Sequence, residues 1–139
     1  MKKKIKREKT ISEDKVIEAV RIWAYKNGWG IRPIIRHGHN RGVDMELTNK
    51  NRHKYFIECK GGVHHEVNFV YSLGQIITRM NRIPKGVNYG IALPTKSAEI
   101  AKRRIPKAFA TRNKLTIFSV SNNGIIKRLV PSDFRKEIK

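Results

Sequence analysis

Residues 43–60 read VDMELTNKNRHKYFIECK, two alternating stretches joined by a polar link. Apolar side chains alternate with polar ones in residues 43–48 and again in residues 54–60. Such a period of two is typical of β-strands that have one apolar face. The five polar residues 49–53 predict a turn. The stretch therefore predicts an antiparallel β-hairpin.

The apolar faces of the two strands set the register of this hairpin. Both faces must meet the same core, and a hairpin centred on Asn51 pairs Met45 with Ile57 and Asp44 with Glu58. A slip of one residue would place the two acids on opposite faces. Residues paired in this way have Cβ atoms about 5 Å apart. We therefore expect Asp44 and Glu58 side by side, with Lys60 on the same face, on the polar side of the strands and not in the core.

Two carboxylates and an ammonium at one place predict a site for a hard cation. Like charges in direct cross-strand contact destabilise a sheet. Mg²⁺ relieves that repulsion, because it takes oxygen ligands and completes its shell with water and phosphate. Asp44, Glu58 and Lys60 therefore predict a metal site that binds phosphate. The alternative is three exposed residues without a joint role, since an acid followed two residues later by lysine is common in a lysine-rich chain.

The charge of the whole chain favours a polyanionic partner. Lys and Arg number 31 against 11 Asp and Glu, for a net charge of +20. Basic residues that neutralise phosphates release counterions, whereas a merely solubilising surface needs far less charge. An anionic membrane fits less well, because no amphipathic helix with large apolar residues on one face is obvious. We expect nucleic acid as the partner.

Length, cysteine content and the N-terminal sequence predict a small cytoplasmic protein. The 139 residues suit one domain, over 11–139, preceded by a loose basic arm over 1–10. Cys59 is the single cysteine, so the chain forms no internal disulfide. No apolar run approaches the roughly 18 residues of a membrane span, and the first ten residues lack the apolar stretch of a secretion signal.

The rest of the chain predicts a mixed α/β domain in the order α-β-β-β-α-β-α-β-β. Its first helix is capped by Ser12 and ends at Asn27–Gly28. The later elements are an edge strand over 31–36, the hairpin strands, a helix over 68–81, a central strand over 88–94, a basic helix over 95–105 and a closing hairpin around 122–124. Two smaller expectations are that the Cys59 side chain is a core residue and that Gly61 and Gly62 let the chain leave its strand close to substrate backbone.

The acid of "GVD" followed by the "ECK" of the next strand resembles the PD-(D/E)XK nuclease superfamily, whose fold many restriction endonucleases and archaeal Holliday-junction resolvases share. Val43 stands where the family has proline. The segment "YSLGQIITRM" is similar to the Gly-Gln segment of many members, and "NYGIALP" is similar to the strand that follows it. The match spans roughly residues 12–120, and it implies a restriction-endonuclease-like core with α-β-β-β-α-β order.

The resemblance also implies roles for matching residues. Asp44 and Glu58 would bind Mg²⁺ or Mn²⁺ together with the backbone carbonyl of Cys59, and Lys60 would position or activate the attacking water. Gln75 would lie beside the site; the alternative is an ordinary exposed glutamine. Members often add an acid from the first helix. Glu13 and Glu18 are both candidates for it, and a helix-start acid that favours the helix dipole is the alternative for Glu13.

These observations predict a metal-dependent DNA endonuclease, and the lack of an evident specificity domain favours structure-selective cutting of junctions or branched DNA. The residues expected to contact DNA are all basic: Arg36, Arg41, Arg79, Arg82, Lys102, Arg103 and Arg104. A homodimer would supply two sites for two strands. Two alternatives stay open: a non-catalytic nucleic-acid-binding protein of the same fold, and a small basic RNA-binding protein of ribosomal type in which the acid pair is accidental.

Overall fold

A six-stranded mixed β-sheet organises the fold. The computed structural model describes residues 9–36, 44–80 and 85–135. The strands lie side by side in chain order: β1 (Ile34–Ile35), β2 (Met45–Thr48), β3 (Lys54–Cys59), β4 (Val87–Pro94), β5 (Leu115–Val120) and β6 (Ile126–Leu129). β4 is parallel to both β3 and β5, and the other neighbouring pairs are antiparallel. The predicted mixed α/β class is confirmed.

Helices cover both faces of this sheet. They are α1 (Glu13–Lys26), α2 (His65–Ile77), α3 (Thr95–Arg104), α4 (Lys107–Arg112) and a short 3-10 helix (Pro131–Asp133). α1 packs on one face in a core that includes Ile57 and Phe118, whereas α2, α3 and α4 pack on the other face around Ile91 and Ile117. β4 lies between these layers and is buried on both sides, as its nearly all-apolar sequence predicts.

The hairpin register predicted from the apolar faces is confirmed. Met45 pairs with Ile57 and Leu47 with Tyr55, and all four side chains are buried against α1. This register is the one that lets both strands bury their apolar residues on the same side. It also directs Asp44 and Glu58 toward one another at the end of β3.

α1 begins and ends where its sequence predicts. The Ser12 side chain accepts a hydrogen bond from the backbone N–H of Lys15, and Gly28 follows the helix with a positive φ of 82° that favours glycine. The apolar positions Val16, Val20 and Ala24 are buried. The helix thus presents its apolar stripe to the sheet and starts close to the end of β3.

Some predicted boundaries differ from the observed ones. α2 starts at His65 instead of Asn68, because its first turn closes with a bond from the Asn68 N–H to the His64 carbonyl. It ends at Ile77, after which single turns replace the helical ladder; Asn81 lies outside the described residues. α4 was not predicted, and it begins directly after Pro106, a residue suited to helix starts. Among the described helices, none is both long and apolar enough to cross a membrane.

Candidate functional site

Asp44 and Glu58 meet where β2 and β3 begin to separate. Asp44 directly precedes β2, and its Oδ2 accepts a hydrogen bond of 2.8 Å from the backbone N–H of Cys59. Glu58 is the preceding residue of β3, and the Asp44 carboxylate lies near enough to raise the pKa of the Glu58 carboxyl. The two carboxyl groups are therefore direct neighbours, as the register predicts.

Glu58 is buried, which corrects the expectation that it lies on a polar face outside the core. Its side chain is only 3% exposed. The expectation was wrong because helices cover this face too: Phe56, two residues earlier on the same side of β3, packs in the core formed with α2 and α3. Lys60, directly after β3, is half-buried and keeps part of its side chain in contact with solvent.

Burial and the neighbouring acid make Glu58 a strongly basic carboxylate. Removal from water, followed by the charge and hydrogen bond of Asp44, raises the pKa of Glu58 to about 8, and the charges of Lys60 and Arg79 partly oppose this. At neutral pH the Glu58 carboxyl is therefore mostly protonated. A divalent cation between them would replace that proton.

Lys60 faces an acid from the first helix. Its Nζ lies 3.8 Å from Oε1 of Glu13, and its backbone N–H donates to the carbonyl of Ala92 on β4. Glu18, the other candidate, is instead exposed and paired with Arg21. Of the two first-helix acids, the structure brings Glu13 to the site.

Gly61 explains how the start of α1 reaches Lys60. A Cβ at this position would lie 2.2 Å from the backbone N of Glu13 and 2.4 Å from the carbonyl carbon of Ser12. The next residue, Gly62, donates its N–H to the carbonyl of Ile11. Gly61 thus makes room for backbone of the chain itself.

Gly61→Ala should destabilise the protein by about 3 kcal/mol, because the new methyl group would overlap backbone atoms that cannot rotate away. Gly74→Ala is the matched control. No heavy atom lies within 4 Å of the Cβ position there, so alanine should stabilise α2 by about 0.5–1 kcal/mol. Urea unfolding at low micromolar protein concentration measures both. A Gly61→Ala protein as stable as the wild type would contradict the close packing of Gly61 on α1.

A buried polar cluster, which sequence reasoning missed, holds the segment after Lys60. Asn68 Nδ2 donates to the carbonyl of Gly62 at 3.1 Å and to Ser97 Oγ at 3.2 Å, and His65 Nδ1 lies 2.7 Å from the same Ser97 Oγ. Asn68 and Ser97 occupy core-facing positions of α2 and α3, where polar residues are unusual. These polar residues at core-facing positions were the feature of the sequence that could have revealed the cluster. Its hydrogen bonds tie α2 and α3 to the segment after β3.

Cys59 belongs to the core by its side chain, as expected. It is fully buried, with its Sγ 3.9 Å from the Met45 Sδ. Burial, followed by the charges of Asp44, Glu58 and Glu13, raises the pKa of its thiol well above the usual value. The thiol therefore stays neutral, and three acids lie close enough to influence it.

Arg79, two residues after α2, lies on the side of the acid pair. Arg79 follows the helix and lies near enough to Glu58 for its charge to lower the pKa of that carboxyl. Gln75 is exposed one turn earlier. Among the described contacts, none joins the Gln75 side chain to the two acids. Its position is compatible with either of the roles that the sequence left open.

The predicted DNA-contacting residues are spread over several elements. Arg36 forms an ion pair of 2.7 Å with Glu46, and Arg104 forms one of 3.0 Å with Glu66. Lys102 is half-buried and Arg103 is exposed at the end of α3. Arg41 and Arg82 lie outside the described residues.

The donor atoms at this place fit a hard cation. Within residues 9–36, 44–80 and 85–135, no three His, Cys, Asp or Glu side chains are grouped as metal ligands. Asp44 and Glu58 would supply carboxylate oxygens to a cation here, with backbone, water and substrate oxygens beside them. That set suits Mg²⁺, which usually takes one or two carboxylates and keeps several waters.

Comparison of the chain with protein-family models, curated proteins and solved structures gave no match.

Proposed function

We propose that this protein is a cytoplasmic Mg²⁺-dependent DNA endonuclease of the PD-(D/E)XK type. The observation that carries the proposal is the Asp44 carboxylate, which accepts the Cys59 N–H beside the buried Glu58, with Lys60 directly after β3. Burying a carboxyl group beside a second acid costs stability, and a site for a cation gives that arrangement a use.

The order of elements supports a restriction-endonuclease-like core. α1, the strands β1 to β3, α2 and β4 follow in the α-β-β-β-α-β order that the resemblance implies. The acid pair lies at the end of the β2–β3 hairpin. This is where the "D" and "ECK" of the motif would meet.

The metal would be held by Asp44, Glu58 and the backbone carbonyl of Cys59. When bound, Mg²⁺ or Mn²⁺ supplies a Lewis acid that stabilises charge on the scissile phosphate and lowers the pKa of water. Glu58 must lose its proton to serve as a ligand, so cation binding and proton release are coupled.

Lys60 supplies the positive charge of the chain itself at the reacting phosphate. Its ammonium group can orient the attacking water and offset the negative charge that builds up on the phosphate. Glu13, 3.8 Å from the Lys60 Nζ, holds that ammonium at the open end of the strand. Glu13 is thus a positioning residue in this mechanism.

The net charge of +20 supports a nucleic-acid substrate. Arg79 at the edge of the site and the Lys102–Arg104 end of α3 are the described basic groups that we assign to DNA backbone contacts. Arg36 would add to them at the edge strand.

Arg103→Gln should weaken DNA binding to a similar extent for every sequence and lower the slope of log K against log salt by about one. The reason is that each phosphate contact releases about one counterion. Arg21→Gln is the control, since Arg21 is exposed but already paired with Glu18. Fluorescence anisotropy across a salt series measures both, and equal slopes for wild type and Arg103→Gln would refute the contact.

The proposal is tested by incubating the protein with supercoiled plasmid, a four-way junction, a flap duplex and RNA, each with Mg²⁺, Mn²⁺ or EDTA. We expect cleavage of DNA with either metal and none in EDTA. DNA binding without cleavage under any metal would favour the non-catalytic binding protein. RNA binding that ignores metal, with no DNA cleavage, would favour the ribosomal-type alternative.

A further inference from the structure

A cleft of about 510 Å³ lies between the end of α1 and the β2–β3 turn. That volume falls within the roughly 300–1,000 Å³ of small-molecule binding clefts. Tyr25 and Trp29 both line it. Tyr25 is 79% exposed, whereas Trp29 is half-buried and packs edge-on against the buried Tyr55, with ring centroids 5.1 Å apart. An exposed tyrosine beside an anchored tryptophan in a concave surface suits a flat ligand with an aromatic ring.

Hydrogen bonds hold both walls of this cleft in place. On the wall that follows α1, the backbone N–H of Ile31 donates to the carbonyl of Thr48 at 3.2 Å. On the facing wall, Asn49 Oδ1 accepts hydrogen bonds of 3.0 Å from the backbone N–H groups of Asn51 and His53. The walls are therefore formed without a ligand, and binding loses little conformational entropy.

The charges around the cleft are all positive in the two stretches that form it. Lys50 lines it, and the exposed Lys26, Arg32 and Arg52 each directly follow a lining residue. Neither residues 19–43 nor residues 47–57 contain an Asp or Glu. Aromatic rings with cations beside them bind single-stranded nucleic acid, because bases stack on the rings while the cations contact phosphates. An anionic membrane would instead favour a projecting apolar face over a concave cleft.

The cleft is separate from the acid pair. α1 starts beside Lys60 with Glu13, and Tyr25 is twelve residues further along this helix, a distance of about 18 Å. The hairpin has the same arrangement, since Asp44 and Glu58 lie at its open end and Asn49–Asn51 at its turn. A ligand in the cleft therefore needs no cation at the acid pair.

We propose that the cleft lined by Tyr25 and Trp29 is a second nucleic-acid site, which binds an unpaired base of single-stranded DNA. The base would stack on the two aromatic rings, and the surrounding lysines and arginines would contact the adjoining phosphates. The inference rests on the proposed function only for the choice of DNA over RNA. Occupation of this cleft would favour DNA that has unpaired nucleotides over an intact duplex.

Fluorescence anisotropy in EDTA tests the proposal with two labelled strands of about 12 units and equal charge, an oligothymidylate and an abasic strand. The wild type should bind the oligothymidylate about ten-fold more tightly. Tyr25→Ala should lower that affinity roughly 5–50-fold and leave the affinity for the abasic strand unchanged. Tyr71→Ala is the matched control, since Tyr71 is 65% exposed on α2, and it should bind like the wild type.

Tryptophan emission locates the bound base. Oligothymidylate should quench the wild type, whereas Trp29→Phe should bind nearly as well but lose most of the quenching. The tryptophan that remains, Trp23, packs against Tyr55 and Phe118.

Circular dichroism checks that each of these variants is folded. Equal wild-type affinity for the two strands, or normal binding by folded Tyr25→Ala, would overturn the proposal. Binding of oligouridylate or of anionic vesicles without binding of oligothymidylate would also overturn it. These measurements need neither metal nor cleavage, so their outcome is independent of whether the protein cuts DNA.

Discussion

Glu58→Gln should raise the melting temperature of the metal-free protein at pH 9 by about 10 °C, although it should abolish cleavage. The pKa of Glu58 is raised from 4.5 to about 8 in the folded protein, so the folded state holds a proton that the unfolded state releases. The stability from that proton is complete below pH 4.5 and is lost as the pH rises through 8. Glutamine brings no charge to this buried position, and this should recover about 3 kcal/mol at pH 9.

The difference in melting temperature between wild type and Glu58→Gln reports the titration of Glu58, because the other titrating groups are the same in both proteins. In EDTA it should be small near pH 5, grow up to about pH 8 and level off by pH 9. Glu99→Gln is the control, because Glu99 is exposed on α3, and its difference from wild type should stay flat. Added Mg²⁺ or Mn²⁺ should stabilise the wild type at pH 8 and leave Glu58→Gln unchanged. A difference independent of pH would show that Glu58 is not the buried proton carrier described above.

Lys60→Met should lower the rate of DNA cleavage by about 10²–10³-fold without comparable loss of DNA affinity, because it removes one charge from the reacting phosphate while methionine keeps most of the side-chain volume. Glu13→Gln should lower the cleavage rate less, by about ten-fold, because it removes the ion pair that positions the Lys60 ammonium but leaves the ammonium in place. Lys54→Met is the control. Lys54 lies at the opposite end of β3 and donates to Thr48.

Single-turnover rates with saturating protein separate cleavage from binding in these variants. Full activity in Lys60→Met would remove Lys60 from the mechanism. An equal loss of cleavage rate in Lys60→Met and Lys54→Met would show that each lysine acts only through its contribution to the overall charge.

The acid pair was predictable from sequence because the apolar faces of one hairpin set its register. Pairing Met45 with Ile57 places Asp44 beside the end of β3, and the structure has that register, with the Asp44 carboxylate bonded to the Cys59 N–H. The burial of Glu58 was not predictable in this way. It depends on α2 and α3, which follow in the chain and pack with Phe56 on the same side of β3.

The choice between Glu13 and Glu18 shows the same limit. Helical spacing allowed either acid to face the site. The contact that distinguishes them lies between Gly61 and Glu13 at the start of α1, 48 residues apart in the chain. Local patterns thus predicted the elements and the pair of acids. Contacts distant in sequence decide how deeply the pair is buried and which third acid reaches it.

Cleavage of supercoiled plasmid and labelled four-way junction by Asp44→Asn, in Mg²⁺ and in Mn²⁺, tests the acid pair most directly. Glu46→Gln is the matched control, since Glu46 lies two residues along the same strand and pairs with Arg36 instead. The wild type and Glu46→Gln should cleave with metal and be inactive in EDTA. Asp44→Asn should bind the same DNA normally and cleave it on the order of 10³-fold more slowly. Undiminished cleavage by Asp44→Asn, or no cleavage by the wild type with either metal, would contradict a metal-dependent site at Asp44 and Glu58.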